Sequence, residues 1–150
     1  MNLSPHFTLA ELTKSQTALR LGLDNSPTPE HIENLKYLAL NILEPIRDKF
    51  GAFTPNSGYR SKALNEAING SAKSQHSKGE AVDLDIVGVP NKKLCKWIYD
   101  NLEFDQLILE YWNEEDNDPN SGWVHVSTTR QQCRKSCMAY DGKAYVYLKP

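Results

Sequence analysis

Apolar residues recur every three or four positions in the first part of the chain and every second position in several later segments, so helices are followed by a sheet. The strongest helical stretch opens at Thr28, a good N-cap, with Pro29 suited to the first helical position. Ile32, Leu35, Ala39, Ile42 and Ile46 then share one face until Gly51 ends the pattern. Pro45 lies inside this stretch and predicts a kink, because it has no N–H to donate and crowds the preceding turn. Thr8 and Glu11 have capping-box spacing and predict a short helix from Leu9. Ser61 opens a third helix through Leu64, Ala67 and Ile68 to Gly70, and Asn91 caps a fourth through Leu94, Ile98 and Leu102.

From Ala81 to Val87 the period changes. Val82, Leu84 and Ile86 fall on one face of a strand and Asp83 and Asp85 on the other, so one side is covered and the acids face a cleft or solvent. Phe104 to Tyr111 and Trp123 to Thr128 read as two strands joined by a polar loop, and Ala144 to Leu148 as a last one. The class expected is α+β, with a mainly antiparallel sheet flanked by helices. A length of 150 residues, with no repeat or linker-like stretch, is that of a single domain.

The net charge of -2 excludes the basic footprint of a nucleic-acid binder. Cys95, Cys133 and Cys137 are too few for a disulfide framework and fit a reducing compartment. Cys133 and Cys137, four apart, would share a helix face, but without a second pair or a nearby histidine they do not make a zinc knuckle. No run approaches the ~20 apolar residues of a membrane span, and the first residues lack a charged start followed by an apolar run. A soluble monomer, made in the cytoplasm without a signal peptide, is expected.

Chemistry concentrates in two short runs. SQHSKGEAVDLD puts His76 seven residues before Asp83 with Gly79 between them, so a loop histidine can fold back beside a strand aspartate. GWVHVS puts His125 and Trp123 on the strand face opposite Val124 and Val126. Two imidazoles and a carboxylate suit catalytic zinc, because three protein ligands leave a position open for water. Taken alone, the spacing favours a capping or surface role for His76 over metal binding, with Asp83 an exposed strand carboxylate and His125 a half-buried ring bonded to a backbone carbonyl.

The run NSGYRSKALNEAINGSAKSQHSKGEAVDLDI, with FDQLILEY and GWVHVS after it, resembles the M15 family of zinc peptidases, especially its compact D-Ala-D-Ala carboxypeptidase-like members of bacteria and phages. The specific part is Ser74, His76, Gly79, Ala81 and Asp83 joined to Trp123 and His125, and the similarity runs from about Leu3 to about Thr128. The resemblance implies a hedgehog/D-Ala-D-Ala-peptidase-like fold and zinc held by His76, Asp83 and His125. It implies that Arg60 holds a substrate carboxylate or carbonyl oxygen, a task that suits a planar guanidinium. Ser74 and Gln75, beside the first ligand, and Trp123 would contact substrate, although a serine there equally forms a turn.

Many members of that family carry an acid three residues before the last histidine, where it takes a proton from the attacking water; here that position is Gly122. Glu110, at the end of the strand expected to pair with that of His125, is the candidate to replace it. Glu114, Glu115, Asp116 and Asp118 are the alternatives. Asp85 would orient a ligand histidine or form a structural salt bridge. Trp97, Trp112, Tyr111, Tyr140, Tyr145 and Tyr147 either line a glycopeptide groove or fill the core. The activity implied is hydrolysis of peptidoglycan stem peptides, as a carboxypeptidase or as an endopeptidase cutting cross-links or the L-Ala-D-Glu bond. A phage endolysin, released to the wall by a membrane-perforating partner, would reconcile such a substrate with the missing signal. A non-catalytic zinc-containing binding domain of the same fold is the rival reading.

Overall fold

The computed structural model describes residues 1–113, 118 and 120–150. Helix α1 (Leu9–Thr13) starts where the capping box was expected: Thr8 Oγ1 accepts from Glu11 N at 3.2 Å and Glu11 Oε1 accepts from Thr8 N at 3.1 Å. Helix α2 (Gln16–Leu21) was not foreseen, although Ser15 caps its start and Gly22 closes its end. The long helical stretch divides into α3 (Pro29–Leu38), a π-helical turn (Ala39–Leu43) and α4 (Glu44–Phe50). The disruption expected at Pro45 takes the form of that wider turn just before it, where the chain has no Pro45 N–H to pair. Ser4 Oγ and His6 N both donate to Glu44 Oε2, at 2.6 and 2.9 Å, and tie the first residues to this turn.

Ser61 caps α5 (Lys62–Ala67) as expected. Asn91 does not cap α6 (Asn91–Asn101). It is the buried first residue of that helix, and its amide donates to the Ser121 and Gly122 carbonyls at 3.2 Å each. The residues just before Trp123 thus satisfy the Asn91 NH2 group, while its Oδ1 is buried without a partner among the described residues.

The sheet has the order β1-β3-β2-β4-β5, with β1 (Ala81–Leu84), β2 (Gln106–Glu110), β3 (Trp123–Ser127), β4 (Ser136–Tyr140) and β5 (Tyr145–Tyr147). Every pairing is antiparallel except β2 with β4. The α+β class with a mainly antiparallel sheet is thus present. β4 was missed, and with it the expected helix face for Cys133 and Cys137: Cys137 lies in β4 against the core, Cys133 in the loop before it. All three thiols are free. β1 is shorter than the alternation implied. It stops at Leu84, and the Asp85 carboxylate, exposed, faces the amides of Asn91 and Asn120 at 3.4 Å rather than a ligand histidine.

Register divides the sheet into two chemically different faces. Val82, Val126, Leu107 and Cys137 form one row across it, and Leu84, Val124, Leu109 and Ala139 the next. These rows pack with Leu35, Leu38, Ile42, Leu94 and Ile98 into the core. On the opposite face one row reads Asp83, His125, Ile108 and Met138, and the next Trp123, Glu110, Tyr140 and Tyr145. No helix among the described residues is long and apolar enough to cross a membrane.

The link into β4 is fastened at Asp105. Arg134 donates to buried Asp105 through Nε at 3.0 Å, through a terminal nitrogen at 2.8 Å and through its backbone N at 2.8 Å. The Arg134 hydrogen bonds hold the Asp105 carboxyl below its ordinary value. A carboxyl with a depressed folded value stabilises the fold above the unfolded carboxylate range, near ~3.9, and this contribution disappears as pH falls through the lower folded value. Asp105→Asn should therefore lower stability at neutral pH and flatten its fall on acidification. Urea unfolding of both proteins between neutral and strongly acidic pH measures this, and parallel curves would refute it.

Candidate metal centre

His76, Asp83 and His125 are buried together and offer ligand atoms that all lie within 4.8 Å of one another. Each arrives on a different element. His76 sits in a 3₁₀ turn (Gln75–Lys78) whose Ser74 Oγ accepts from His76 N at 3.2 Å, and Gly79, with φ +76, turns the chain back into β1. Asp83 and His125 face each other directly across the β1–β3 pairing.

The donor set fits a metal ion. His76 Nε2 lies 3.3 Å and His125 Nδ1 3.2 Å from the same oxygen, Asp83 Oδ1. Ligand atoms about 2.1 Å from a tetrahedral ion stand about 3.4 Å apart, so these separations need little adjustment to accept one. The other nitrogen of His76 is already engaged: Nδ1 lies 2.7 Å from the Gly58 carbonyl, which fixes the tautomer and leaves the Nε2 lone pair available to a metal ion. Burial pushes the His76 ring below its ordinary value despite the pull of Asp83, favouring the neutral form that a metal requires. Burial alone would raise Asp83, but the polar groups packed around it more than offset burial and hold its carboxyl well below the ordinary value.

Arg60 closes the other side of Asp83. Its guanidinium donates to Asp83 Oδ2 at 3.0 Å and to Ser57 Oγ at 3.3 Å, while Asp83 N donates to Ser57 O at 2.8 Å. The segment around Ser57 thus seals the outer edge of β1 and delivers Arg60. Neither Ser57 nor the Gly58 carbonyl stood out in the sequence, because each acts by lying beside Asp83 or His76 in space rather than by belonging to a motif.

Glu110 and Trp123 are register partners, and Trp123 Nε1 donates to Glu110 Oε2. Burial raises the Glu110 carboxyl above its ordinary value; the negative charge of Asp83 adds to this, and His125, Trp123 and Arg60 oppose it. A carboxylate raised in this way is suited to accept a proton. Glu114, Glu115 and Asp116 lie outside the described residues. Asp118 is exposed and accepts from Asn120 N at 2.9 Å within its own loop.

A groove of about 1300 Å³ takes in the three ligands together with Arg60, Glu110, Ser74, Gln75 and Trp123. Ser74 also forms the turn that the alternative reading gave it. The Gln75 side chain reaches Asp105, and its amide oxygen is buried without a partner. His31 caps its own helix, with its ring 5.1 Å from that of Tyr59. Trp97 and Trp112 pack against the core.

Two imidazoles and a carboxylate converging in an open groove, with an arginine and a raised carboxyl beside them, define a candidate catalytic metal site on an α+β scaffold. Residues 5–127 match the family described as Peptidase M15, and the chain belongs to that family. No curated protein matches it significantly.

Gly122, where an acid was expected, has a structural reason to lack a side chain. Its φ is +67, and a Cβ would stand 1.9 Å from the Glu110 carbonyl oxygen and 2.6 Å from the Tyr111 carbonyl carbon. Placing an acid there would displace the backbone of Glu110. Gly122→Asp should therefore lose activity and destabilise the protein by about 1–3 kcal/mol from backbone conformation alone, before any clash is counted. Thermal unfolding checks this; a variant as stable as the parent would refute it.

Proposed function

We propose that this chain is a zinc-dependent peptidase acting on bacterial peptidoglycan stem peptides, with His76, Asp83 and His125 as the metal ligands. The observation that carries this reading is the convergence of that donor set with Glu110 and Arg60 in a single groove. Zinc held there would lower the pKa of a water and polarise the scissile carbonyl.

The chain's own groups account for the remaining work. Glu110, with Oε2 held by Trp123 Nε1, takes a proton from the attacking water and passes it to the leaving amine. Arg60 keeps Asp83 oriented through Oδ2, and its other N–H groups offset negative charge developing on the carbonyl oxygen or grip a substrate carboxylate. Ser74, Gln75 and Trp123 bound the space where the peptide lies. A raised proton acceptor beside the donor set favours catalysis over a purely binding role for the same fold.

Zinc content of the purified protein and release of amino groups or D-Ala from peptidoglycan test this reading. His76→Ala and Asp83→Asn should lose zinc. Glu110→Gln should keep zinc and lose about 10²–10⁴ in kcat. A wild-type protein that binds zinc but cleaves no wall peptide would overturn the peptidase reading, whereas an active Glu110→Gln would overturn only the proton acceptor.

A further inference from the structure

Four aromatic rings extend from the metal centre along one wall of the groove. Trp123 and Tyr111 have ring centroids 5.0 Å apart, Tyr111 meets Tyr140 edge-on at 5.4 Å, and Tyr140 stacks on Tyr145 at 4.3 Å with 19° between planes. Sheet register puts three of them, Trp123, Tyr140 and Tyr145, in one row with Glu110. Packing of apolar residues does not account for Tyr111 and Tyr145, which are 47% and 56% exposed, while Trp123 and Tyr140 are half-buried.

The backbone around Tyr111 indicates that its placement matters. Its φ is +54, a left-handed conformation in which a bulky side chain is an outlier. Two glycines that are themselves left-handed make room for it. A Cβ on Gly142 (φ +98) would stand 2.9 Å from Tyr111 Cε1, and one on Gly122 would meet its carbonyl carbon. One unfavourable conformation, accommodated by two close glycines, thus falls on an exposed tyrosine at the rim of the site, the pattern expected where function sets the geometry. Tyr140 and Tyr145 belong to β4 and β5, beyond residue 127 where the family match ends, whereas Tyr111 and Trp123 lie within it.

The chemistry of the wall selects its ligand. Ring faces carry negative charge density, and tyrosine hydroxyls at their rims donate and accept hydrogen bonds. An anion would meet those faces and Glu110 together. A cation is best held by rings that enclose it, whereas these run in an open row. A pyranose ring matches: it offers a flat face of weakly positive C–H groups bordered by hydroxyls.

We propose that Tyr111, Trp123, Tyr140 and Tyr145 form a sugar-binding subsite adjoining the metal centre, so that a stem peptide still carrying its sugar is preferred to the free peptide. This rests on the wall-peptide reading above for the identity of the sugar, but sugar binding can be measured without hydrolysis. The disaccharide of N-acetylglucosamine and N-acetylmuramic acid, without peptide, is titrated into the protein and followed by calorimetry and tryptophan fluorescence. Saturable binding is expected, weakened about ten-fold in Tyr145→Ala, as loss of one ring contact implies, and largely retained in Tyr145→Phe. Tyr145 is on the sheet edge and half exposed, and thermal unfolding of the variants verifies that the fold persists. No binding by the wild type into the millimolar range, or equal binding by Tyr145→Ala, overturns the subsite. So does an equal loss of affinity for sugar-free peptide, which would make the wall a peptide surface. Sugar binding without cleavage would support the subsite and count against the peptidase; cleavage of free and sugar-bearing peptide at equal KM would do the reverse.

Discussion

Strand β3 holds the site together because it is paired on both edges. On one side His125 faces Asp83 of β1; on the other, Trp123 faces Glu110 of β2. Side chains alternate between faces, so a slip of one residue in either pairing would send an imidazole or a carboxylate into the core and bring a valine or leucine to the groove. The core rows Val82–Val126–Leu107 and Leu84–Val124–Leu109 resist that slip, since it would expose all of them at once. Hydrophobic packing on the hidden face thus positions the polar chemistry on the open one.

Asp83 is the electrostatic hinge of the arrangement. A carboxylate with 7% exposure would be costly to bury alone, and it is met by Arg60 on one oxygen and by two imidazoles on the other. Division of labour between its oxygens lets Arg60 fix the carboxylate without occupying the atom that faces the histidines. Gly58 does the same for His76 from the backbone side. The side chains of the candidate metal site are therefore oriented by the protein itself, which would lower the cost of binding an ion.

Much of this was legible in the sequence because it rests on short-range rules. Thr8 with Glu11, Thr28 with Pro29, and Ser61 declare helix starts through local hydrogen bonds, and the alternation around Asp83 and His125 declares which face each occupies. What escaped notice depends on partners distant in the chain. β4 has a mixed run, Ser-Cys-Met-Ala-Tyr, whose strand character follows from pairing with β2. Asn91 looked like a cap because its type favours caps, yet the carbonyls of a loop thirty residues away claimed its side chain. Asp85 shared the parity of Asp83 but lies past the end of β1, where parity no longer governs direction. Gly122 read as a missing acid, and only the proximity of the Glu110 carbonyl explains it.

The bridge between Ser57 and Asp83 has a consequence for solubility. By covering the outer side of β1, it leaves β5 as the open edge of the sheet among the described residues. A bare edge invites another chain to pair with it, and short length and flanking lysines are ways of discouraging this. β5 has both: it is three residues long and lies between Lys143 and Lys149. The edge bridged by Ser57 is the one that carries Asp83, so an aggregating encounter would begin on the opposite side of the sheet, four strands away from that carboxylate.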